Sequence, residues 1–421
     1  MAPSWSDEAI WWQVYPLGFT GAPAASGDGP VRHRLRRLEP WLDHAAELGC
    51  TGLLLGPIFA SETHGYDTVD HFAIDPRLGD DADFDALVRQ AGERGLRILL
   101  DGVFNHVGRS FVGDPGWLRR GPVGDVDTFE GHDRLVALDH AQEGVRRHVA
   151  GVLGHWLDRG AAGWRLDAAY AVPAGFWSAV LPGVRARHPR AWFVGEVIHG
   201  DYAGYVARSG LDSVTQYELW KAIWSSLNDR NLYELAHALT RHDALLETFA
   251  PLTFTGNHDV TRLATRLDDP RHLGHALAVL FTVGGVPSVY YGDELGHQGL
   301  KEEREGGDDA IRPAFPATPA ELPAAGREVF ELHRRLIALR RRHPWLARAR
   351  TSVTHLDNRT AVLRTGGPGR ALLTLLNLED RPHLFPLGTG ECAVAEAGDG
   401  GEGDPALVPA HGWRVLVDKS G

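Results

Sequence analysis

At 421 residues the chain is too long for one small domain and suits a large domain with an appendage. Hydrophobic residues at 43% and charged residues at 23% are proportions of a soluble globular protein, which excludes a disordered or fibrous chain. A net charge of −12 argues against a nucleic-acid surface, and no apolar run approaches the ~18 residues of a membrane helix.

The first residues, from Met1 through Trp5 to Tyr15, lack the basic and apolar regions of a secretory signal, which predicts a cytoplasmic protein. The two cysteines, Cys50 and Cys392, sit in no metal-ligand spacing and form no disulfide framework. Up to about residue 345, strand-like and helix-like patterns alternate. Strands are expected at Trp11–Pro16, Thr51–Leu55, Arg97–Val103 and Gly163–Asp167. Further strands are expected at Trp192–Glu196, Ser213–Gln216, Leu252–Gly256 and Pro287–Tyr291. Helical spacing recurs between them, at Leu35–Leu48, Phe84–Arg94, Val145–Arg159 and Leu273–Thr282. Eight such units predict an α/β fold, the (β/α)8 TIM barrel. The stretch 107–139, rich in Gly, Asp and Pro, has no clear period and predicts a short loop subdomain after the third strand. Beyond a helix at Glu328–Arg342 and the Pro344-Trp345 break, short alternating segments predict a small all-β domain. The expected division is a barrel over 1–106 and 140–349, a loop subdomain over 107–139 and a β-sandwich over 350–421.

Four of the expected strands carry an acid at or near their end: Asp101 two residues before the end of Arg97–Val103, Asp167, Glu196 and, just past Leu252–Gly256, Asp259. A barrel gathers such residues at one rim of its sheet, and paired carboxylates are the equipment of glycoside cleavage. Arg165 lies two residues before Asp167 and so shares its face of the strand, where a guanidinium keeps the carboxylate ionised for nucleophilic attack. Gly195 before Glu196 is expected to admit a close approach of backbone or substrate. His106 and His258 accompany two of the acids.

These segments resemble the signature regions of the α-amylase family of glycoside hydrolases, namely Asp101–His106, Gly163–Tyr170, Val194–Val197 and Phe254–Asp259. The likeness extends to Trp11–Thr20, Thr63–Asp67, Ile74–Gly79 and Gly285–Glu294. The resemblance implies Asp167 as nucleophile, Glu196 as acid/base and Asp259 as the third catalytic carboxylate. It implies Tyr66 as a platform for the sugar, with His64, His106, Arg165, His258 and Arg312 contacting substrate, and Asp101 and Asn105 as support. Calcium-dependent members carry a Lys-His pair where this chain has Tyr170-Ala171, so their calcium site is incomplete and no metal or cofactor is expected. Thr63 replaces the Asp of chain-end-clamping relatives. The expected function is a retaining α-glycoside hydrolase of α-1,4-linked gluco-oligosaccharides such as maltodextrins. A transglycosylase or isomerase on the same machinery and a catalytically silent carbohydrate-binding protein are the alternatives. Neither nucleic acid nor membrane is an expected partner, and the oligomeric state stays open.

Overall fold

Short runs rich in Leu, Val and Trp, buried on both faces, make the parallel strands of the computed structural model. It describes residues 2–418 except 28, 122–123, 305, 368, 388–392 and 400–403. Its packing divides the chain into two units, one of Met1–Pro3, Trp11–Thr215 and Arg312–Leu322, the other of Ser4–Ile10, Gln216–Ile311 and Pro323–Gly421.

The first unit holds β1 (Trp11–Val14), β2 (Gly52–Leu55), β3 (Arg97–Val103), β4 (Gly163–Asp167), β5 (Trp192–Gly195) and β6 (Ser213–Val214). Each pairs in parallel with the next. Parallel neighbours need crossovers, and α1 (Trp41–Leu48), α2 (Asp81–Glu93), α3 (Glu143–Asp158), α4 (Ala174–Arg187) and α5 (Tyr202–Ser209) supply them in turn. Asp80 opens α2 with a capping box, its side chain accepting from the Asp83 N–H while Asp83 accepts from the Asp80 N–H.

This sheet is strongly curled. Trp11 on β1 stacks on Trp192 on β5, with ring centroids 5.9 Å apart. Four flat strand spacings of ~4.8 Å would hold those residues ~19 Å apart. Gly52 on β2 makes the room, because a Cβ there would sit 2.6 Å from the Trp11 ring and 2.6 Å from the Arg97 carbonyl.

In the second unit, β7 (Leu252–Phe254) and β8 (Val286–Tyr290) pair in parallel. Helices α6 (Tyr217–Asn228), α7 (Leu232–Leu246), α8 (Leu273–Thr282) and α9 (Arg327–Arg342) accompany them. The C-terminal part is an antiparallel sheet of β9 (Thr351–Leu356), β10 (Thr360–Gly367), β11 (Arg370–Asn377), β12 (Ala393–Gly398) and β13 (Trp413–Asp418). A ribbon of His383–Leu384 with Leu407–Val408 adds to it, over a core that includes Val362, Leu375, Phe385 and Leu416. With β1–β6 these strands give the eight parallel strands of a (β/α)8 fold followed by all-β sheets. No described helix is long and apolar enough to cross a membrane.

Two sequence expectations shift in detail. The helix expected over Leu35–Leu48 is broken into a 3-10 turn at Arg34–Leu38 and α1, with Pro40 at the junction. Within 107–139 the regular structure is slight: His106–Val107 pairs with Val136–Ala137, and Pro115–Trp117 is a 3-10 turn. In the second unit α8 binds the C-terminal sheet through Thr282 with Thr374 at 2.8 Å and His275 with the Asn377 carbonyl at 3.1 Å. Cys50 is buried and forms no disulfide among the described residues, and Cys392 lies outside the described residues.

Candidate active site

Parallel register lines up the strand-end acids of the first unit. Asp101 pairs with Arg165 and Val103 with Asp167 across β3 and β4, and Leu166 pairs with Gly195 across β4 and β5. Arg165 therefore reaches three carboxylates at once. Its Nη1 donates to Asp101 Oδ1 at 2.8 Å and Oδ2 at 2.6 Å and to Asp167 Oδ1 at 3.1 Å, and its Nη2 lies 2.8 Å from Glu196 Oε1. The spacing within one strand pointed to Asp167 as the arginine's partner. The cross-strand register gives Asp101 the shorter contacts.

All four side chains are buried. Burial opposes the Arg165 charge, and the surrounding carboxylates overcome it and hold the guanidinium firmly protonated. Burial also pushes the Asp101 carboxyl up, to about 6, against the pull of Arg165. The turn after β4 completes the arrangement. Ala168 adopts the left-handed conformation (φ 45, ψ 35), and its N–H donates to Glu196 Oε2 at 2.9 Å.

The loops around these strands add aromatic and polar groups. Tyr66 donates its hydroxyl to Asp101 Oδ2 at 3.1 Å, and its N–H reaches His64 Nδ1 at 3.2 Å. The Tyr15 hydroxyl donates to the His64 carbonyl at 2.7 Å, and the Arg312 guanidinium lies 4.8 Å over the Tyr15 ring. Thr63 donates to Asp67 Oδ2. The Asn105 side-chain amide bonds His106 Nδ1 at 3.2 Å. His106 is kept neutral by burial, its pKa brought down to about 4, and stacks on Phe129 at 4.6 Å. Tyr170 donates its hydroxyl to Glu130 at 2.8 Å, and its N–H bonds the Glu196 carbonyl at 3.1 Å.

Gly195 serves packing rather than substrate approach. A Cβ there would lie 2.7 Å from the Leu211 side chain and 3.0 Å from the Ala169 Cβ.

The other two predicted residues lie in the second unit, just beyond β7. His258 is buried, with Nε2 3.0 Å from Asp259 Oδ2. Asn257 accepts the Asp259 N–H at 2.8 Å and donates its amide to the Tyr217 hydroxyl at 2.9 Å, which fixes the turn. Arg262 then anchors the loops by bonding Asp293 at 2.8 Å and the Ile311 carbonyl at 2.7 Å. Phe129, Glu130 and Ala168 escaped the sequence reading. The first two are ordinary residues in an aperiodic loop, and the φ of an alanine leaves no trace in sequence.

A family profile described as "Alpha amylase, catalytic domain" matches residues 13–113 and 109–321. The chain is 29% identical over 431 residues to the cyclomaltodextrinase of Geobacillus thermopakistaniensis, covering 92% of this chain and 71% of that one. It is 31% identical over 409 residues to neopullulanase 2 of Thermoactinomyces vulgaris, covering 86% and 68%. Among solved structures, the cyclic α-maltosyl-(1→6)-maltose hydrolase of Arthrobacter globiformis superposes with a TM-score of 0.81 at 24% identity, over 99% of each chain.

Proposed function

Because this chain belongs to the α-amylase family of glycoside hydrolases, we propose that it hydrolyses short α-1,4-linked gluco-oligosaccharides of the maltodextrin kind with retention of configuration. The relatives named cyclomaltodextrinase and neopullulanase support that substrate class, as does Thr63 in place of a chain-end clamp. The observation that carries the chemistry is the arginine shared by two strand-end carboxylates, Asp167 at 3.1 Å and Glu196 at 2.8 Å.

In this reading Asp167, held in place by Arg165, attacks the anomeric carbon as Glu196 gives a proton to the departing oxygen. Water then opens the glycosyl ester while Glu196 takes back a proton, and two inversions restore the configuration. Asp259 holds sugar hydroxyls and favours the positive charge that develops in the ring. Tyr66 is the platform beneath the sugar, and His64, His106, His258 and Arg312 bond its hydroxyls. Asp101 orients Arg165, and Asn105 orients His106. That engagement of Asn105, with Tyr170 bonded to Glu130, supports catalysis without a calcium ion. We place the reaction in the cytoplasm, in keeping with the Bacillus subtilis relative named an intracellular maltogenic amylase.

The test is hydrolysis of maltotriose followed by NMR. The first-formed product is expected as the α anomer, and a β anomer overturns the retaining assignment. Asp167→Asn is expected to lower kcat at least ~10³-fold with unchanged circular dichroism. Undiminished turnover in that variant rules out the nucleophile. Products longer than the input sugar point to transglycosylation instead.

A further inference from the structure

In the second unit, a cluster of metal-ligating side chains joins the approach to α8 to the approach to β13. Asp269 caps the 3-10 turn Pro270–His272, which carries His272 back over it, and His411 comes from the turn that precedes β13. His272 Nε2 lies 3.0 Å from His411 Nδ1 and 3.9 Å from Asp269 Oδ2, and His411 Nδ1 lies 3.8 Å from the same oxygen.

Two further features tune these groups. His411 Nε2 meets Asp380 Oδ1 at 2.7 Å. That contact places the His411 proton on Nε2 and leaves the Nδ1 lone pair directed at the cluster, the arrangement of a carboxylate–histidine–metal triad. His411 is also held at φ 50, a left-handed conformation that a residue with a Cβ adopts at a cost.

We propose that Asp269, His272 and His411 bind a zinc ion that cross-links the helical part of this unit to its C-terminal sheet. The three donor atoms lie 3.0, 3.8 and 3.9 Å apart, spacings that bracket the ~3.4 Å between ligands of a tetrahedral zinc with bonds of ~2.1 Å. Two imidazoles and one carboxylate suit zinc rather than calcium, which collects six or more oxygens. Asp269 and His272 also line a pocket of about 400 Å³, from which water supplies the fourth ligand. One local charge competes with the ion. Arg271 holds Asp269 through Nε to Oδ1 at 3.0 Å and Nη2 to Oδ2 at 2.7 Å, and it must release Oδ2 when zinc binds. Arg230 is more distant, 3.9 Å from Asp269 Oδ2 and 3.9 Å from Asp380 Oδ2.

The test titrates the metal-free full-length chain with zinc chloride by calorimetry and follows its Tm. One equivalent is expected to bind with a rise in Tm, where calcium chloride gives none. Arg271→Ala is expected to bind zinc at least as tightly as the parent, and His272→Gln to lose both binding and the Tm rise. In the unaltered protein, cobalt(II) is expected to give the visible absorption of a four-coordinate site, a readout that does not depend on the variants folding. No stoichiometric zinc binding by the parent chain overturns the proposal and leaves the two imidazoles as a simple hydrogen-bonded pair. Binding that persists in His272→Gln also overturns it, by placing the ion elsewhere.

Discussion

Arg165 is the residue on which the candidate site depends. One buried cation neutralises parts of three carboxylates, the Tyr66 hydroxyl adds a second donor to Asp101 Oδ2, and the Ala168 N–H meets Glu196 Oε2. Arg165→Met removes the cation and leaves buried like charges facing each other. It is expected to cost about 3–5 kcal/mol of stability, measured by denaturant unfolding, in addition to abolishing turnover. A variant as stable as the parent chain would show that the carboxylates do not need this counter-charge. Asp101, Asp167 and Glu196 were legible because each closes an apolar run, and Arg165 because it shares a strand with Asp167. The closeness of Arg165 to Asp101 was implied by the family resemblance alone. It arises from the pairing of residue 101 with residue 165 across two strands, a contact set by register and not by spacing along the chain.

Among the elements, strands were read more closely than the connections between them. β3 and β4 fall on the expected residues, Arg97–Val103 and Gly163–Asp167, because buried parallel strands are continuous apolar runs with abrupt ends. β6 shrinks to Ser213–Val214 because Gln216 serves the next element, accepting the N–H groups of Glu218 and Leu219 at the start of α6. The stretch 107–139 has no period to read, so the stacking of Phe129 on His106 emerges only in three dimensions. β2 shows how one small residue determines an element's fit. Gly52→Ala is expected to destabilise the chain by about 1–3 kcal/mol, since its methyl meets the Trp11 ring and a backbone oxygen at 2.6 Å. Unchanged thermal unfolding of that variant would mean the sheet can open locally without cost.

At the scale of the whole molecule, buried titratable groups govern the response to acid. Burial brings the pKa of His71 and His275 down to about 3, and of His106 and His242 down to about 4. In the unfolded chain these imidazoles titrate near 6.5, so between about pH 6.5 and 4 the unfolded state binds more protons and stability falls as pH falls. Asp101, Asp243 and Asp293 oppose this, because burial raises each to about 6. The folded state holds their protons between about pH 4 and 6, and their contribution falls as pH rises. The histidines are more numerous and each is moved further from its ordinary value. Tm is therefore expected to drop steadily from pH 7 to pH 4.5 in differential scanning calorimetry. A Tm that rises over that interval would place the balance with the carboxyls.

The stacked pair of Trp11 and Trp192 has an optical consequence. Two indoles 5.9 Å apart and inclined by 12° are coupled chromophores, so light absorbed by one is shared with the other. They belong to strands that meet only because the sheet is curled. The part of the near-ultraviolet circular dichroism that Trp192→Phe removes thus reports the curvature of the first unit separately from its helix and strand content. A chain that keeps its far-ultraviolet spectrum while that signal fades has kept its secondary structure and lost its curl.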